Sequence, residues 1–267
     1  MPLCRGHLKQ KDFFKKAVNS GRISHAYIFS GISGIGKKVF AINMAKALVC
    51  LEGSFFTACG CSHCRQIDNG SYPDLHICEG SDLKIENIRS IAEAAGMTPL
   101  TGRWKIFILD EAERLSASGQ AAAGNALLKT LEEPGDDSVF FLITSKYDAV
   151  LPTIRSRCGL IEFAPLSHKD LSDVLRDVMP DKNFSEHVIN AAGGSAGKSL
   201  MINELDIEGV FQTLLKGDFE KFVKQISALN DTDAFKAVIE AVYISSLKKY
   251  KETGRYSYCR LGYYMLD

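Results

Sequence analysis

The stretch Phe29–Lys38, FSGISGIGKK, sets glycines and lysines at the spacing of a loop that wraps a phosphate. Gly31, Gly34 and Gly36 let the backbone turn its N–H groups toward an anion, and Lys37 adds positive charge where a helix begins. The pattern G-x-x-x-x-G-K-[ST] closes on a hydroxyl that holds Mg²⁺, but Lys38 stands at that position. An ammonium only donates hydrogen bonds, so it cannot coordinate the metal. The residues fit binding of ATP or ADP and argue against efficient hydrolysis.

A second chemical signal lies in IFILDEAERL, where an apolar run ends in Asp110 and Glu111. Such a pair suits the outer shell of a nucleotide-bound Mg²⁺, with the aspartate ordering the metal and the glutamate polarising water. Solvated acids at a strand end are common alone. Downstream of a phosphate loop in one βα series, the nucleotide reading is favoured.

Cys50, Cys59, Cys61 and Cys64 crowd into fifteen residues, CLEGSFFTACGCSHC. Four thiolates satisfy a tetrahedral Zn²⁺ and leave no open position, which predicts a structural metal. His63 is an alternative ligand to one thiolate, and a loop of unligated thiols is the plainer reading. Cys4, Cys78 and Cys259 have no such company. Finally, LPTIRSRC presents Arg155 and Arg157 at the end of a predicted loop. A guanidinium carries fixed charge in a fork that suits a phosphate on a neighbouring subunit, although an R-x-R loop by itself is more often a solvated surface.

These residues need elements to hold them. Apolar runs at His25–Phe29, Asp74–Cys78, Trp104–Leu109, Val139–Thr144 and Leu160–Phe163 predict strands buried on both faces of a parallel sheet. Between them, Phe40, Met44, Ala47 and Leu48 share one helical face, as do Ile85, Ile88, Ile91 and Ala95. This alternation predicts an α/β domain over residues 1–165. Beyond Phe163 the strand signal stops, and helical spacing continues in two regions divided near Met201–Asp206, starting with Leu171, Val174 and Leu175 and then Val188, Ile189 and Ala192.

Composition excludes little. Lys+Arg and Asp+Glu both number 32, so no net charge points to nucleic acid or membrane, and local patches stay open. No apolar run has the length of a membrane span, and MPLCRGHLKQKDFF has no signal-peptide core, which predicts a cytoplasmic protein without a membrane partner. A zinc-dependent nucleic-acid module is a rival reading. Against it, Leu51–Gly70 holds one fixed cation, Arg65.

Taken together, HAYIFSG, GIGK, the cysteine cluster, LDEAERL, NALLKTLEEP (Asn125–Pro134), LPTIRSRC and GGSAGKSL (Gly193–Leu200) resemble the bacterial DNA polymerase III clamp-loader subunits of the AAA+ class. The resemblance runs from about Gly21 to Leu200. Within that family Lys38 is similar to the delta-prime branch, whose P-loop is degraded. The resemblance implies a RecA-like AAA+ domain over residues 1–165 with a zinc module near 50–64. A helical lid over 166–205 and a helical collar over 206–267 would follow. It implies a stator without ATPase activity of its own, in a hetero-pentameric ring with motor ATPase and delta subunits. Such a ring opens a sliding clamp and releases it on primed DNA, as part of the polymerase III holoenzyme, a transferase complex. Arg157 would then enter the ATP site of the adjacent motor subunit, Thr144 would stand near the sensor position, and Lys198 where an arginine commonly senses nucleotide. The alternative is a hydrolysing motor subunit of the gamma/tau type. Departures from the family are one residue between Cys59 and Cys61 instead of two, a longer link Ser116–Gly124, and a short collar.

Overall fold

The computed structural model describes residues 3–116, 121–135, 137–184 and 186–204, with isolated positions between 213 and 254. The chain divides into two compact units at Ala164/Pro165.

In the first unit five parallel strands form one sheet in the order β2-β3-β4-β1-β5. They are β1 (Ala26–Ser30), β2 (Leu75–Cys78), β3 (Lys105–Leu109), β4 (Ser138–Thr144) and β5 (Gly159–Glu162). Strand periodicity of two sorts their side chains onto opposite faces. Tyr27, Phe29, Ile106, Ile108, Val139, Phe141 and Ile143 join one core, and Ala26, Ile28, Phe107, Leu109, Phe140 and Leu142 join the other. Helices α1 (Leu8–Asn19), α2 (Lys37–Val49) and α3 (Ser62–Asp68) supply Phe14, Phe40, Met44 and Ile67 to the first core. Helices α4 (Ile85–Ala95), α5 (Ala121–Glu132) and the short α6 (Pro152–Arg155) supply Ile88, Ile91, Leu127, Leu131 and Ile154 to the second. At the centre of the sheet, where both faces are buried, truncating a residue such as Phe141 to alanine costs about 3–5 kcal/mol. A RecA-like α/β layering results.

All five apolar runs become strands, but burial on both faces holds for the centre only. β1, β3 and β4 are buried throughout or nearly so, whereas β5 is largely exposed and β2 half-buried. The reason is topological: β2 and β5 are the sheet's two edges.

The second unit, among its described residues, contains α7 (His168–Val178), α8 (Glu186–Ala191) and α9 (Ala196–Glu204) around Leu166, Leu171, Leu175 and Ala192. Ser167 caps α7 by accepting the Asp170 N–H at 3.1 Å. The collar expected for residues 206–267 falls outside the described residues, apart from isolated positions. No helix among the described residues is long and apolar enough to cross a membrane.

Candidate nucleotide and metal sites

The phosphate loop leaves the C-terminal end of β1, where ligands of parallel sheets gather. Strand register aligns Ser30 with Thr144, bringing the loop beside the end of β4. At Gly31 a Cβ would collide with the Phe163 carbonyl oxygen, so only glycine fits this close approach. Gly36 caps α2 in the left-handed region at φ 95°, with Gly34 at 74° just before it.

Lys37 is buried, and its ammonium donates to the carbonyls of Gly31 at 2.6 Å and Ile32 at 2.8 Å. Burial pulls its pKa down to about 8, against the opposing pull of Asp110 and Glu113. The loop's own carbonyls thus satisfy the lysine. Lys38 reaches across to the Glu79 carboxylate, forming an ion pair just beyond β2. Its field also acts on Asp110, whose carboxyl burial nonetheless holds above the usual range.

Glu111 takes a left-handed backbone, φ 57°, which costs a non-glycine residue of order 1–3 kcal/mol and concentrates at functional turns. Its carboxylate pairs with Arg114, three residues on, and packs so closely on Gly80 that any Cβ there would collide with it. That pairing ties the carboxylate to a neighbour within the chain. Thr144 is buried and accepts the Lys146 N–H at 3.0 Å. Beside it the Ser145 hydroxyl donates to Glu113 at 2.9 Å, while the other oxygen of that carboxylate is buried without a hydrogen-bond partner. Glu79, Glu113, Arg114 and Ser145 were missed in the sequence reading. The i, i+3 spacing of Glu111 and Arg114 was the one available signal. Lys198 lies in the second unit, in the first turn of α9, where its N–H caps onto the Ser195 hydroxyl at 3.1 Å.

The predicted arginine loop is instead the short helix α6 and the turn after it. Neither guanidinium projects freely. Arg155 pairs with Asp148 at 3.0 Å and lies 4.9 Å from the Tyr147 ring centre. Arg157 pairs with Glu132 at 2.5 Å and donates to the Thr153 carbonyl at 2.8 Å.

The cysteine cluster is assembled. The sulfurs of Cys50, Cys59, Cys61 and Cys64 all lie within 4.8 Å of one another. The single residue between Cys59 and Cys61 is therefore compatible with convergence. His63 lies outside this group of four, its Nδ1 bonding the Val49 carbonyl at 2.9 Å and its ring packing edge-on to Tyr72. Burial pushes the Cys61 thiol up, but hydrogen bonds from the Cys64 and Leu51 N–H groups outweigh it and bring the pKa to about 6. Cys64 is driven upward by burial and by its sulfur neighbours. One thiolate forms readily and the next resists, a donor set that a dication would complete.

A five-stranded parallel sheet, a phosphate loop after its first strand and acids after its third define a P-loop protein of the AAA+ class. Residues 6–167 match the family described as DNA polymerase III, delta subunit. The chain therefore belongs to the clamp-loader subunits of DNA polymerase III. It is 38% identical over 168 residues to the delta' subunit of Bacillus subtilis (strain 168), a match covering 61% of this chain and 50% of that one. It is 32% identical over 236 residues to the tau subunit of Escherichia coli (strain K12), covering 84% of this chain and 35% of that one. The chain thus spans half or less of the length of these relatives. Among solved structures, a gamma subunit-related protein of DNA polymerase III from Thermotoga maritima has a TM-score of 0.49 at 17% identity, covering 94% of this chain and 76% of that one.

Proposed function

We propose that this chain is a non-hydrolysing stator of the bacterial DNA polymerase III clamp loader, in the cytoplasm. It would sit in a hetero-pentameric ring with motor ATPase and delta subunits and offer Arg157 to the nucleotide of its neighbour while a sliding clamp is loaded on primed DNA. The observation that carries the reading is the pair of internal neutralisations at its own P-loop, Lys38 with Glu79 and Glu111 with Arg114. The first puts an ammonium where a metal ligand belongs, and the second occupies the acid that would polarise water. Gly31, Gly34, Gly36, Lys37, Asp110 and Thr144 would then serve a degenerate site for ATP or ADP. Cys50, Cys59, Cys61 and Cys64 would hold a structural Zn²⁺ that braces the segment between α2 and α3.

The tau similarity extends over more of this chain than the delta' similarity does, which favours a second reading as a hydrolysing motor subunit. Steady-state ATP hydrolysis by the purified chain with Mg²⁺ separates the two, with Glu111→Gln as the background control. The stator reading expects no turnover above that control. Turnover abolished by Glu111→Gln would make the chain a motor. Elemental analysis giving well under one zinc per chain would remove the metal assignment.

A further inference from the structure

The motif NALLKTLEEP ends α5, and its Glu132 pairs with Arg157 but has no role in the function proposed above. We infer that Glu132 is the positioning residue for Arg157, holding the guanidinium in the attitude from which it is offered to a neighbouring nucleotide. This rests on the arginine-finger reading above.

Arginine's long stem gives it many rotamers, and an arginine acting in trans gains from being fixed before the phosphate arrives. Three groups fix this one. Glu132 accepts from Nη2 at 2.5 Å, the Thr153 carbonyl from Nη1 at 2.8 Å, and the Ser156 hydroxyl from Nη1 at 3.3 Å. Among the described residues these contacts engage three of the five N–H donors of a guanidinium. They leave two donors, on Nε and Nη2, for a phosphate.

Both ends of the clamp stand on packed structure. Leu131, next to Glu132, and Ile154, next to Thr153, are buried in the same core cluster with Leu127 and Val150. The carboxylate also sits in the last turn of α5, the end where a helix dipole disfavours an anion. An anion kept there is not serving its own helix. The plainer alternative is that Arg157 merely neutralises that helix end, a surface pair of little consequence.

The test uses the loader reconstituted with its own partner subunits, sliding clamp and primed DNA, and reads kcat and KM for ATP. Arg157→Ala is expected to lower kcat. Glu132→Ala is expected to lower kcat about tenfold with KM unchanged, the scale of a misplaced catalytic group. The double variant should then lose no more than Arg157→Ala alone. Glu132→Gln, which keeps an acceptor oxygen, should recover much of the loss. Thermal melts of each variant chain monitor folding separately from kcat. An unaltered kcat in Glu132→Ala, or losses that multiply in the double variant, overturns the inference while leaving the finger reading intact. An unaltered kcat in Arg157→Ala overturns both.

Discussion

Two corners of the first unit set cations against carboxylates, and the proposed function gives the two corners opposite uses. At the P-loop, Lys38 is spent on Glu79 and Glu111 on Arg114, so the charges of a nucleotide site are cancelled within the chain. At the end of α5, Glu132 holds Arg157, which Thr153 and Ser156 also bind. In the first corner the pair stands where a ligand would need open charge. In the second, three groups fix one guanidinium in a single attitude. Under the proposed stator function the first corner is scaffold and the second is used, and each of the following experiments would break or sharpen that contrast.

The largest effect is expected from Arg157→Ala. Arginine fingers contribute roughly 10³–10⁵ in rate at the site they serve. Hydrolysis of the assembled loader should therefore lose the contribution of that one site, while melting of the isolated chain moves little, since exposed ion pairs add about 0–1 kcal/mol. Arg157→Lys sharpens the point, because lysine keeps the charge without the fork and should recover little of the rate. A variant loader hydrolysing at the normal rate would erase the distinction between the corners.

Removing the metal site comes next. Cys64→Ser is expected to drop zinc content from about one per chain to well below it and to lower the melting temperature by roughly 5–10 °C, as loss of a few kcal/mol does in a domain of this size. The Arg157 corner stands on a different core cluster from α2 and α3, so its donation in the loader should persist below the new melting point. A loss of loader activity without any change in zinc content would mean Cys64 matters for another reason.

Much of this is legible in the sequence. The five strands could be read because β-branched and aromatic runs must be shielded in a parallel sheet. The cysteines could be read because four thiols so close together suggest one centre. What stayed hidden were pairings across distance. Lys38 meets Glu79 forty-one positions away, and nothing in either local sequence announces it. Arg157 meets Glu132 across twenty-five positions because two helices share a core. His63 stood as an alternative to one thiolate, but α3 turns its ring toward Val49 and Tyr72. Edge-strand exposure was equally invisible, since strand order is a property of the whole chain.

A smaller effect should follow from restoring the missing hydroxyl. Lys38→Thr supplies a metal ligand and releases Glu79, and is expected to strengthen Mg²⁺-dependent ATP binding by up to about tenfold, the worth of one charge-assisted contact. Turnover should still stay at background, because Glu111 remains paired with Arg114. Calorimetric titration with and without Mg²⁺ checks the first statement and a phosphate-release assay the second. Vigorous hydrolysis by Lys38→Thr would show that the Glu111–Arg114 pair imposes no block.

The subtlest expectation concerns pH. Burial lowers the Lys37 pKa to about 8 from the ordinary 10.5. Between those values the unfolded chain holds a proton that the folded chain has released, so this residue makes stability rise with pH across that window. Below pH 8 both states are charged, and the full cost of burying the ammonium is borne by the fold. Lys37→Met, close in shape and unable to ionise, should therefore stabilise the chain most at pH 7, with the advantage shrinking as pH approaches 10.5. Urea melts of both proteins at matched pH values measure it. A phosphate bound at the loop would favour the charged lysine and reverse the shift, so nucleotide binding near pH 9 should take up a proton. That uptake is detectable as a buffer-dependent binding enthalpy. Binding without proton uptake would place the phosphate away from Lys37, leaving the P-loop a scaffold even toward its ligand.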